Sequence, residues 1–133
     1  MELKPPEPLL KALNWALWEL VGNAGLHGYN MYKKKNVDYP MPVYFCAFDY
    51  KKFIGMAILD VGRGIQKSFL ESGNDKYKGI SNSDALALSI KDETTCDSQG
   101  SAGMGLFGCA EIAKQAKGEL IIISGPNKLI ISM

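Results

Sequence analysis

The chain has 133 residues, of which 15 are lysine or arginine and 14 are aspartate or glutamate, so its formal net charge is +1. This length fits one domain with a core of its own, and the near-neutral charge excludes a global field that would attract nucleic acid or an anionic membrane. The three cysteines are widely spaced and contain no CxxC pair, which argues against a disulfide framework or a zinc site.

The first predicted element is a long helix after a proline-rich start. Apolar residues recur there in alternating steps of three and four, at Leu10, Leu13, Leu17, Leu20 and Ala24. This spacing predicts a helix from about 8 to 29. The start lacks the pattern of a signal peptide, and no apolar run approaches the ~20 residues of a membrane span. We therefore expect a soluble protein, and the unpaired cysteines favour the reducing cytoplasm.

Shorter elements follow, beginning with predicted strands at 43–48 and 53–59 that form a hairpin. The next ones are a glycine-rich turn at 60–65, a short helix at 66–71, a helix capped by Asn82 or Ser83 and ending near 91, a polar loop at 92–102, a helix at 103–117, and a second hairpin with strands at 119–124 and 129–132. This order predicts a single domain over 1–133, built as a two-layer α/β sandwich with a mixed sheet and helices on one face.

The long helix carries the first polar motif, because Glu19 and Asn23 lie four residues apart and project from the same face. His27 continues that row by one turn. The solvated side of an ordinary amphipathic helix also presents such side chains. The pair therefore needs support from elsewhere in the chain.

The second motif is the turn at 60–65, which directly follows a predicted strand. The carboxylate of Asp60 can accept a hydrogen bond from an exocyclic amine such as that of adenine. Gly62 and Gly64 let the backbone turn tightly and approach a ligand closely. The alternative is an Asp-Gly turn without a ligand.

The third motif is the glycine-rich segment at 100–108, which leads into a predicted helix. Backbone N–H groups at that helix start would cradle phosphate, while a flexible linker is the plain alternative. The glycine spacing matches the dinucleotide fingerprint, but the preceding strand and the later acidic residue are missing. A Walker-type Gly-Lys-Ser or Gly-Lys-Thr is also absent from the sequence, so both common nucleotide folds are disfavoured.

Taken in order, the three motifs resemble the boxes of the GHKL superfamily of ATPases and kinases. Glu19-x-x-x-Asn23-Ala24 is similar to its N box, Asp60-x-Gly62-x-Gly64-Ile65 to its G1 box, and Gly103-x-Gly105-Leu106 to its G2 box. The resemblance covers nearly the whole chain and implies the Bergerat fold, with a lid at about 66–102. Each box is weak alone, but three in this order are a specific signal.

The resemblance implies a site for ATP and Mg²⁺. Asn23 would give its amide oxygen to a Mg²⁺ that bridges phosphate oxygens, and Glu19 would act as general base toward water or a substrate hydroxyl. Asp60 would bind the adenine amine. The remaining residues implied to contact the nucleotide are Gly62, Gly64, Ile65, Gly103, Met104, Gly105, Leu106 and Ser124.

The N box is most similar to that of anti-sigma-factor serine kinases, because it continues as His27-Gly28-Tyr29. Histidine kinases usually carry a lysine at the position of His27. This implies a regulatory serine/threonine kinase with a protein partner and ATP or ADP as ligand, compatible with a homodimer. From the charge and the lack of a long apolar run, we expect no nucleic-acid or membrane partner. His27 could instead cap the helix end.

Three alternatives to a kinase remain. They are an ATP-gated ATPase or interaction module, a fragment of a larger signalling protein, and a non-catalytic binding platform. Arg63, the only arginine, occupies a variable position of the G1 box, so Lys67, Lys91 or a residue from another chain could supply a cation for the γ-phosphate.

Overall fold

The computed structural model describes residues 6–33, 42–91 and 105–133, with side chains in the first range described up to residue 25. The helices are α1 (Glu7–Lys33), α2 (Ile65–Leu70), α3 (Asn82–Leu88) and α4 (Gly105–Gln115), with a 3-10 helix at Asp75–Tyr77; the strands are β1 (Val43–Asp49), β2 (Ile54–Asp60), β3 (Glu119–Ser124) and β4 (Asn127–Ser132). These elements belong to two compact units, Met1–Gly62 and Arg63–Met133.

The first unit combines helix α1 with the β1–β2 hairpin. The strands pair antiparallel, with Val43 opposite Asp60, and α1 contacts both of them. Ala16 and Ala24, eight residues apart on one face of the helix, are buried. The helix continues beyond the predicted end near residue 29, because a single glycine such as Gly28 costs only about 1 kcal/mol inside a helix.

The second unit has a small core at the helices that follow the turn. Phe69, Tyr77 and Ala85 form this core, with Ile65, Ile80 and Leu88 packed against it. The rings of Phe69 and Tyr77 meet edge to face, with 4.8 Å between their centroids, the geometry that aromatic quadrupoles favour. The predicted lid therefore has folded structure in its described part.

The β3–β4 hairpin completes the second unit. Alternate residues of β3 are exposed and half-buried, as expected of a strand covered on one face, and both α3 and α4 contact the hairpin. Its second strand begins at Asn127, two residues before the predicted start. The two-residue connection Gly125-Pro126 needs fewer residues than the predicted turn, because Gly125 takes up a positive φ of 57°.

The predicted capping residue of α3 is wrong. Ser81, and not Asn82 or Ser83, caps this helix: its Oγ accepts a hydrogen bond from the Asp84 N–H at 3.1 Å. Ser81 has the extended backbone that a capping residue needs. The helix also ends at Leu88 and not near Lys91, and there the Ser89 hydroxyl donates to the Leu86 carbonyl.

The combination of helices with antiparallel sheets confirms the predicted α/β class. Within the described ranges, the strands form two separate two-stranded sheets, β1–β2 and β3–β4. One mixed sheet in a two-layer sandwich, and a single domain over 1–133, stay predictions. No helix in the described part of the chain is long and apolar enough to cross a membrane.

Candidate functional site

Helix α1 presents the two polar residues of the first motif one turn apart. Glu19 and Asn23 are both half-buried, whereas Asn14 on the same helix is exposed. The buried alanines Ala16 and Ala24 flank them along the helix. The Glu19 and Asn23 side chains therefore lie beside the packed face of α1.

Asp60 is the last residue of β2 and begins the glycine-rich turn. Its Oδ1 accepts a hydrogen bond from the Gly62 N–H at 2.8 Å, and no described residue bonds to its Oδ2. Asp49, the last residue of β1, makes the same type of turn, since its Oδ1 accepts from the Lys51 N–H at 3.0 Å. Both carboxylates thus close an Asx turn, and the second oxygen of Asp60 is available to a ligand.

The end of the same turn lies against the end of strand β3. The Ile65 N–H donates to the Ser124 Oγ at 2.9 Å, across 59 positions of sequence. Gly64 has a φ of 78°, and a Cβ added to it would lie 3.3 Å from the same Oγ. Three residues implied to contact the nucleotide, Gly64, Ile65 and Ser124, are therefore brought together.

A second set of contacts fixes this turn and was not predicted from the sequence. The Arg63 side chain is only 10% exposed; its guanidinium donates to Ser68 Oγ at 3.0 Å and to Glu71 Oε2 at 2.9 Å. Ser68 in turn donates to the Gly64 carbonyl at 3.0 Å. These bonds give Arg63 a structural role at the start of α2, which argues against its use as the cation for the γ-phosphate. The Arg63–Glu71 spacing of eight residues follows no sequence rule.

The third motif is described only in part. Gly105 and Leu106 are half-buried and form the first turn of α4, as the sequence predicts. Gly103 and Met104 lie outside the described residues, as do the loop at 92–102 and the side chain of His27. Their predicted roles stay predictions.

The predicted site residues divide between the two units. Glu19, Asn23, Asp60 and Gly62 belong to the first; Gly64, Ile65, Gly105, Leu106 and Ser124 belong to the second. Among the described side chains, no group of three or more His, Cys, Asp or Glu could hold a metal ion. Asn23 as a Mg²⁺ ligand stays a prediction.

Comparisons of the chain with protein-family models, with curated proteins and with solved structures found no match.

Proposed function

We propose that this chain is a Mg²⁺-dependent ATP-binding domain of the GHKL type, with its helices and strands in a Bergerat sandwich. The observation that carries the proposal is the contact of Gly64 and Ile65 with Ser124. Gly64 and Ile65 of the G1 box lie far in sequence from Ser124 at the end of β3, yet the resemblance implies that all three contact the nucleotide. Their contact supports a common role.

The polar groups at this turn suit the edge of adenine. Asp60 Oδ2 can accept a hydrogen bond from the exocyclic amine, since Oδ1 already bonds to Gly62. The Ser124 hydroxyl accepts from Ile65 and keeps its own hydrogen, which can be donated to a ring nitrogen or to a water. Gly64 has a positive φ and no Cβ, so the backbone of the turn can approach the base closely.

The polar pair on α1 suits the phosphates. The Asn23 amide oxygen is the hard ligand that Mg²⁺ prefers, and Mg²⁺ would neutralise the charge that develops on the phosphoryl group when bound. Glu19, one helical turn away, would take the proton of the attacking hydroxyl. We propose a serine or threonine hydroxyl of a protein partner as that nucleophile, because the N box resembles that of anti-sigma-factor serine kinases.

Nucleotide binding is tested by fluorescence titration with an N-methylanthraniloyl derivative of ATP. Asp60→Ala should weaken binding at least tenfold, because a hydrogen bond to a charged group contributes about 1.5–3 kcal/mol. Asp49→Ala is the matched control: it removes the same type of Asx turn from the same hairpin and should bind like wild type. Equal affinities of the two variants would contradict the role of Asp60.

The fate of the γ-phosphate is tested with γ-labelled ATP and candidate partner proteins. Label transfer to a partner that falls by about 10²-fold or more in Glu19→Gln supports a kinase with Glu19 as its base. Glu7→Gln, an exposed change on the same helix, should leave transfer unchanged. Release of free phosphate without transfer would favour the ATPase alternative, and undiminished transfer by Glu19→Gln would contradict the role of Glu19.

A further inference from the structure

The end of β1 and the loop that joins it to β2 carry a cluster of aromatic and basic residues, here called the aromatic tip: Phe48, Tyr50, Lys51, Lys52 and Phe53. The three aromatic side chains are 52%, 51% and 60% exposed. They contact each other, since the Tyr50 ring stacks on Phe53 at 4.6 Å and lies 5.9 Å from Phe48. Three exposed rings in contact form a contiguous apolar patch, which scattered single residues do not.

The aromatic tip also carries a local positive charge. Two lysines stand against one carboxylate in this segment, that of Asp49, whose Oδ1 accepts from the Lys51 backbone N–H. Neither lysine forms an ion pair within the described part of the chain. Lys51 has a φ of 58°, and the Tyr50 N–H closes the loop on the Phe53 carbonyl at 2.9 Å. The turn geometry therefore presents two ammonium groups together with the rings.

We propose that the aromatic tip docks onto an anionic phospholipid surface. Aromatic side chains favour the headgroup level of a bilayer, and lysines there extend their ammonium groups toward the phosphates. The net charge of +1 supplies no attraction of the whole chain to an anionic surface, so a local group of charges such as that of the tip must supply it.

The ring geometry favours lipid over single-stranded nucleic acid. Nucleic-acid platforms stack bases on open aromatic faces, whereas Tyr50 and Phe53 stack on each other with an interplanar angle of 22°. Each of these rings therefore already gives one face to the other, and only the outer faces of the pair are left for a base. An inserted tip leaves them in contact.

Flotation of the full chain with vesicles tests the proposal. Binding is expected to vesicles of mixed phosphatidylcholine and phosphatidylserine and to fall with added salt, with little binding to phosphatidylcholine alone. In Lys51→Asn/Lys52→Gln the partition coefficient should fall about 25-fold, because each lysine near the surface contributes about fivefold. Asparagine is chosen at 51 because it tolerates a positive φ. Phe53→Ser should also release the chain.

The matched control is Lys78→Gln/Lys128→Gln, which removes the same charge from exposed positions of the second unit. Circular dichroism establishes that each variant is folded, and the lysine variants alone decide the outcome if Phe53→Ser fails to fold. Three results would overturn the proposal: no binding to anionic vesicles, equal losses in the tip and control variants, or binding of the tip to single-stranded oligonucleotide but not to vesicles. ATP binding does not enter this assay, so the two proposals fail separately.

Discussion

At the scale of single residues, the hydrogen bond from Ile65 to Ser124 is the contact on which the candidate site depends most. Its acceptor belongs to the end of a strand and its donor to the first turn of a helix. Both groups are partly buried, so water replaces the lost partner only in part. The contact therefore contributes to stability as well as to the shape of the turn.

Ser124→Ala should lower the free energy of unfolding by about 1–3 kcal/mol, because the Ile65 N–H would lose its acceptor. Ser132→Ala is the matched control, since Ser132 ends strand β4, is exposed and should change stability by less than about 0.5 kcal/mol. Urea denaturation followed by circular dichroism measures both. Equal effects would show that the Ile65–Ser124 bond contributes nothing.

Residue chemistry made part of this site predictable. The sequence predicts a glycine-rich turn at 60–65, and the structure has a turn there that Asp60 closes with an Asx hydrogen bond. The role of this turn beside a ligand stays a prediction. The Arg63 contacts were missed, because they join residues five and eight positions apart through side chains of the turn and α2. Spacing rules for helices and strands do not describe such contacts.

At the scale of elements, the strands were predicted better than the helix ends. β-branched and aromatic runs bounded by turn residues identify β1, β2 and β3 to within a residue. Helix ends depend on which of several neighbouring polar residues reaches a free N–H. In the run Ser81-Asn82-Ser83, each residue is a good capping residue, so composition alone does not choose among them.

Ser81→Ala should therefore destabilise the second unit by about 1 kcal/mol, the usual cost of removing a helix cap. Ser83→Ala should cost less, because the Ser83 hydroxyl contacts Ser81 Oγ at 3.0 Å but does not bond to a helix N–H. Thermal unfolding of both variants measures the difference. A larger loss in Ser83→Ala would contradict the observed cap.

At the scale of the whole molecule, the α/β class followed from the order of periodic segments, but the arrangement of the sheets did not. Each hairpin is local in sequence, so its pairing can be predicted from neighbouring residues. Pairing of strands far apart depends on long-range packing, which one sequence leaves undetermined. The resemblance to GHKL proteins is the reason to propose one sandwich and one ATP site from these parts.

Calorimetric titration with ATP tests the central claim, Mg²⁺-dependent binding of ATP, most directly. Wild type should bind ATP with Mg²⁺ and lose at least tenfold in affinity when EDTA removes the metal. Asn23→Ala should show that loss already with Mg²⁺, with little further loss in EDTA, because the two changes remove the same interaction. Asn14→Ala, an exposed asparagine on the same helix, should behave as wild type. Absent binding by wild type, or equal binding by wild type and Asn23→Ala in Mg²⁺, would contradict the account.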